Sequence, residues 1–136
     1  MGETLIRFVM SVRHEDSGFR DGFFRSAYRL RDSLTMTSAD MESLRDLLLW
    51  FDYNIEEPDR FNRTKSKGRQ RRNSRGLSWF RASAGAQISK AQQIVALLRK
   101  YGHEVEEVRT IRPGFVVYSD AHQVVAEPFS DVAGVR

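Results

Sequence analysis

Residues 83–108, SAGAQISKAQQIVALLRKYGHEVEEV, hold a helix, its stop signal and the start of the next strand. Ile88, Ala91, Val95, Leu98 and Tyr101 recur at helical spacing and form one apolar stripe, with Ile94 and Leu97 beside it. Lys90, Arg99 and Lys100 fall off that stripe. Arg and Lys in the last turn followed by Gly102 make a C-terminal signature, because cations suit the negative helix end and glycine tolerates a left-handed cap. Ser78 or Ser83 is the expected opening cap. Val105 and Val108 then lead into a strand over 104–111.

A second helix is equally legible. Thr37 or Ser38 can cap it, and Asp40 and Glu42 suit the positive end of its dipole. Met41, Leu44, Leu48, Phe51 and Ile55 form its stripe, widened by Leu47 and Trp50. It must stop before Pro58. At the N-terminus, Ile6, Phe8, Met10 and Val12 alternate on one face of a strand over 4–13. Residues 14–22, HEDSGFRDG, read as turns, with Ser17-Gly18 and Asp21-Gly22 as punctuation. Phe23, Ala27, Leu30 and Leu34 have helical spacing, but interspersed charges and the lack of a clear cap leave 23–34 ambiguous. Pro113-Gly114 is a turn, Phe115–Tyr118 a short strand, Ser119–His122 another turn and Gln123–Ala126 a last strand. The tail over 130–136 is expected to fray.

Two amphipathic helices need a surface to cover, and four short strands can supply it. The expected fold is therefore α+β, in two layers: two main amphipathic helices on a small, mostly antiparallel sheet of about four strands. A chain of 136 residues fits one domain, 1–136.

Between the two helices lies Arg60–Arg81, RFNRTKSKGRQRRNSRGLSWFR. Nine of these 22 residues are basic and none is acidic: Arg60, Arg63, Lys65, Lys67, Arg69, Arg71, Arg72, Arg75 and Arg81. The whole chain is only +4, so the remainder, with 13 basic and 18 acidic side chains, is −5. A strongly basic loop over 60–77 on a mildly acidic body points to a polyanionic partner. Its cations can neutralise phosphates, and Asn62, Thr64, Ser66, Gln70, Asn73 and Ser74 can donate to a nucleic-acid backbone. Phe61, Trp79 and Phe80 at its margins can stack on unpaired bases or, as Trp79 and Phe80 favour, join the core. The alternative is a solvated loop, or one folded back on the acidic helix, where Asp40, Glu42, Asp46, Asp52, Glu56 and Glu57 offer partners.

Other chemistry finds little support. The chain has no cysteine, which removes disulfides, thiol catalysis and Cys-based zinc sites. His14, His103 and His122 lack metal-ligand spacing, so no metal and no cofactor is expected. His14-Glu15-Asp16, or Asp120 with His122 and Glu127, can do acid–base work only if the fold makes them converge. Arg112 in the Arg112-Pro113-Gly114 turn can hold an anion or simply sit in the turn. No glycine-rich phosphate loop is present, and Ser78 and Ser83 lack a nucleophile-elbow setting. No apolar run approaches the ~20 residues of a membrane span. The N-terminus MGETLIRFVM has no signal-peptide pattern. A cytoplasmic protein with no membrane partner is the expectation.

Gly76–Phe80 (GLSWF), Arg112–Phe129 (RPGFVVYSDAHQVVAEPF) and Asp59–Arg63 (DRFNR) resemble a family of small bacterial proteins without an established activity. The resemblance covers roughly residues 50–129. It implies a bacterial or phage-type cytoplasmic origin and a compact C-terminal half, and it implies no catalytic residues.

The reading that follows is a small non-enzymatic binding or regulatory protein whose basic loop contacts DNA or RNA backbone. Sequence-specific reading of DNA is not supported, since no helix-turn-helix spacing or finger is present. Two alternatives remain: a protein–protein interaction module of a bacterial defence or regulatory complex, and a phosphate-ester hydrolase using arginines and a histidine.

Overall fold

The computed structural model describes residues 3–13, 20–55 and 76–129. Their elements run β1 (Leu5–Arg13), β2 (Arg20–Gly22), α1 (Phe23–Ser33), α2 (Ser38–Asn54), β3 (Leu77–Arg81), α3 (Gly85–Lys100), β4 (Val105–Thr110), β5 (Phe115–Ser119) and β6 (Gln123–Glu127). The fold is α+β, as expected. The sheet has six strands rather than about four, and every pairing is antiparallel. Three helices lie among the described residues, because the ambiguous stretch forms α1 and buries Phe23, Ala27 and Leu30. No helix among the described residues is long and apolar enough to cross a membrane.

β1 organises the sheet. Its residues Leu5 to Met10 pair along their whole length with β4. Leu5 and Ile6 also pair with Arg81 and Phe80 of β3, while Val9 and Arg13 pair with Gly22 and Arg20 of β2. A strand has only two edges, so β2 and β3 share the one that β4 leaves. β6 continues the sheet from β3, and β5 ends it.

Successive strand residues point to opposite faces, and the burial follows that rule. Ile6, Phe8, Phe80 and Val105 meet Phe23, Ala27, Leu30, Leu44, Leu48, Phe51, Ala91, Ile94, Val95 and Leu98 in one cluster beneath the helices. The intervening residues Leu5 and Trp79 join Val124 and Val108 in a smaller cluster. Both helical stripes therefore face the sheet as their spacing indicates. Thr37 is the cap of α2, its Oγ1 accepting from the Asp40 N–H at 3.1 Å. Gly102, with φ of 95°, ends α3. Val12 departs from its expected face partners: it is exposed and lines an open cleft.

Two readings are corrected. Neither Ser78 nor Ser83 caps α3, whose cap is Ala84. Leu77 starts β3, and α3 begins only at Gly85, after the turn at Ala82 and Ser83. The reason is that β3 runs between β1 and β6, so both of its edges are paired, while the two core clusters bury Phe80 on one face and Trp79 on the other. Asp21-Gly22 is not free punctuation either, since it ends β2 and Gly22 caps α1.

Candidate functional site

Eight of the nine basic residues singled out from sequence, Arg60, Arg63, Lys65, Lys67, Arg69, Arg71, Arg72 and Arg75, lie outside the described residues, as do Phe61, Glu56 and Glu57. The ninth, Arg81, ends β3. Its Nε donates to the Asp120 carbonyl at 2.7 Å, and its Nη1 pairs with Glu3. Trp79 and Phe80 are core, so neither offers a stacking surface. Of the acidic residues on α2, Asp40 is taken by Lys100 at 2.8 Å and by the Tyr101 hydroxyl at 2.7 Å. Glu42, Asp46 and Asp52 lie on the exposed face of that helix.

A second basic feature emerges only in three dimensions. Where β2 and β3 part company along β1, the Arg7 side chain fills the fork. Its Nη1 donates to the Ser78 carbonyl of β3 at 3.3 Å. On the other prong, the guanidinium comes within 3.6 Å of the place a Cβ would occupy on Gly22. Arg7 finds no carboxylate partner among the described residues, and its Nε is shielded from solvent without a hydrogen bond. Burial lowers its pKa to about 10, and the neighbouring Arg20 pushes in the same direction, with Asp21 opposing. Arg20 has its own counter-ion, Glu106, at 2.8 Å, but its Nε is likewise buried and unpartnered. The sequence carried one signal for this feature: an arginine inside the apolar run Leu5-Ile6-Arg7-Phe8-Val9.

The acid–base candidates resolve differently. His14, Glu15 and Asp16 lie outside the described residues. Asp120 and His122 meet through the backbone, not through the ring. Asp120 Oδ1 accepts from the His122 N–H at 2.8 Å and the Gln123 N–H at 3.0 Å, while Oδ2 accepts from the Tyr118 hydroxyl at 2.8 Å. Burial opposes ionisation of Asp120, but these donors outweigh it and hold the carboxyl below its ordinary range. The carboxylate shapes a turn, and Glu127 stands at the far end of β6. Arg112 lies over the Phe129 ring at 5.2 Å.

His103 instead lines a cleft of about 540 Å³ with Met10, Val12, Asp21, Ser26, Arg29 and Glu104. A histidine, two carboxylates and an arginine thus share one depression. Asp21 is engaged there by Arg25 and Arg29, each at 3.8 Å. Among the described residues no hydrogen bond joins the His103 ring to a carboxylate, the contact that would orient it as a base. No group of three or more His, Asp or Glu side chains among these residues is arranged to hold a metal ion. No family model, curated protein or solved structure matches the chain.

Proposed function

We propose that the protein is a non-enzymatic binding or regulatory module that contacts a polyanion, DNA or RNA backbone, through its basic segment. The observation that carries this reading is charge segregation: nine cations and no anion within Arg60–Arg81, on a remainder of net −5. Support comes from where the segment attaches. It leaves from the end of α2 and returns into β3, whose Ser78 carbonyl holds Arg7. A further guanidinium thus stands beside the point of return. The bacterial, cytoplasmic setting implied by the family resemblance belongs to the same proposal.

The test is a fluorescence-anisotropy titration with single- and double-stranded oligonucleotides at two salt concentrations. Replacing Arg69, Arg71, Arg72 and Arg75 with Ala weakens binding. It also flattens the dependence of log K on log salt by up to about 0.9 per lost phosphate contact on duplex DNA. Unchanged affinity in the fourfold variant removes the segment from the interface.

One observation favours a protein partner as a second reading. Among the described residues the outer strand β5 pairs with β6 alone, and Phe115 and Val116 on it and Ile111 before it are exposed. The opposite edge strand, β4, carries Glu106, Glu107 and Arg109, the kind of charges that discourage strand addition. An uncharged apolar edge suits antiparallel pairing with β5 of a second copy, which would bring Arg112 of one chain toward Asp120 of the other. Sedimentation of the wild type against Val116→Lys tests it: a dimer that the lysine dissolves supports the pairing, and a monomer in both removes it.

A further inference from the structure

Trp79 and Phe80 are core, so the β3 side of the basic segment offers neither ring to a nucleic-acid base. The α2 side differs. Tyr53, in the last turn of α2, is 82% exposed, and Arg60, the first cation of the segment, follows it by seven residues. One turn back on the same side of the helix stand Leu49, also exposed, and Trp50, half-buried against the core. Gln87 Nε2 donates to the Asn54 carbonyl at 3.0 Å and so brings the first turn of α3 beside the last turn of α2. From α3, Lys90 lays its ammonium over the Trp50 ring, 5.6 Å from the centroid. Two aromatic rings and a cation thus share one patch of surface where the basic segment departs.

Tyr53 leaves a large, rigid ring in water on a helix whose Phe51 is buried. A base can stack on such a ring whatever its identity, because every base has a π-face. The charges around the ring select the form of nucleic acid. Glu42, Asp46 and Asp52 are exposed on α2. Like charges repel, so a phosphate backbone is disfavoured along this helix. A duplex presents its phosphates outward and keeps its bases in the stack, so it meets repulsion here without a compensating contact. A single strand can turn an uncharged base onto Tyr53 while its phosphates run toward Lys90 and the basic segment.

We propose that Tyr53, with Trp50 and Lys90 beside it, is a stacking platform for an unpaired base, which makes single-stranded nucleic acid the preferred ligand. The proposal rests on the polyanion reading above: the basic segment holds the phosphates, and the platform adds the base.

The experiment titrates the full chain with three labelled oligonucleotides of equal length, at two salt concentrations. They are a single strand, its duplex, and an abasic strand that keeps the phosphates and lacks the bases. The wild type binds the single strand most tightly. Tyr53→Ala weakens that binding about 5- to 100-fold, the worth of one stacked base, and leaves the abasic strand and the salt dependence unchanged. Tyr53→Phe keeps the wild-type affinity. Because Tyr53 is exposed, both variants keep the wild-type thermal midpoint. The single strand quenches tryptophan fluorescence and the abasic strand does not. Trp79 is fully buried, so the quenching reports Trp50. The Arg69/Arg71/Arg72/Arg75 variant, in contrast, loses affinity for all three. Salt-steep binding with equal single-strand affinity in wild type and Tyr53→Ala overturns the platform and leaves the polyanion reading standing. Binding of no oligonucleotide overturns both. If the wild type then sediments as a dimer that Tyr53→Ala dissolves, the patch belongs to a second copy of the chain.

Discussion

The Tyr101 hydroxyl donates to Asp40 Oδ2 at 2.7 Å and accepts from the Thr37 backbone N–H at 3.0 Å. One phenol thereby ties the end of α3 to the first turn of α2. The side-chain hydrogen bonds from Lys100 and Tyr101 hold the Asp40 carboxyl below its ordinary range. The ammonium of Lys100 is exposed, and an exposed ion pair contributes little once screened by water and salt. Tyr101→Phe therefore lowers the thermal midpoint clearly, because two bonds between helices go at once. Lys100→Ala leaves it nearly unchanged. Equal midpoints for the two variants would remove Tyr101 from its bridging role.

Leu48 and Leu98 are both buried at the common face of α2, α3 and the sheet. Truncation of either to Ala leaves a cavity that close-packed neighbours fill only in part, at a cost of roughly 2 to 5 kcal/mol. Chemical denaturation that shows less than about 1 kcal/mol for both contradicts the assigned core face.

Gly114 and Gly85 respond oppositely to alanine. Gly114 has φ of 129°, and a Cβ there would stand 1.9 Å from the Glu127 carbonyl oxygen. The β5–β6 hairpin must distort to admit it, so Gly114→Ala is strongly destabilising and disturbs the Phe115–Glu127 pairing. At Gly85, the first residue of α3, nothing lies within 4 Å of an added Cβ. Gly85→Ala stabilises by about 0.4 to 1 kcal/mol, mainly by restricting the unfolded chain. Thermal unfolding of the two single variants is the check.

Asp120 gives stability a pH dependence. Its native carboxyl titrates below its ordinary value, so the unfolded state binds the proton more readily. The contribution is complete above the unfolded pKa of about 3.9 and is lost as the pH falls through the lower native value. Asp120→Ala costs about 1 to 2 kcal/mol at neutral pH, near the low end for three lost bonds because the turn is partly open to water. The gap from wild type closes as the pH drops below about 4. A gap that does not narrow at all as the pH falls below about 4 assigns the loss to packing instead.

The helices α2 and α3 were legible from sequence because their signals are local. A stripe such as Leu44, Leu48 and Phe51, a Thr37 cap and a Gly102 stop lie within a few residues of the groups they govern. The strands β1, β4, β5 and β6 were legible for the same reason, as apolar runs bounded by turns. Tertiary structure alone decided β2 and β3. Three residues, Arg20–Gly22, form a strand only because β1 offers them an edge. Leu77–Arg81 looks like a helix approach until β1 and β6 pair with both its edges. The Arg7 fork belongs to the same class. Its burial depends on which two strands share one edge of β1, and its nearness to the start of α1 depends on how β2 feeds that helix. Such relationships join positions as far apart as Arg7 and Ser78, where no periodicity of the chain can record them.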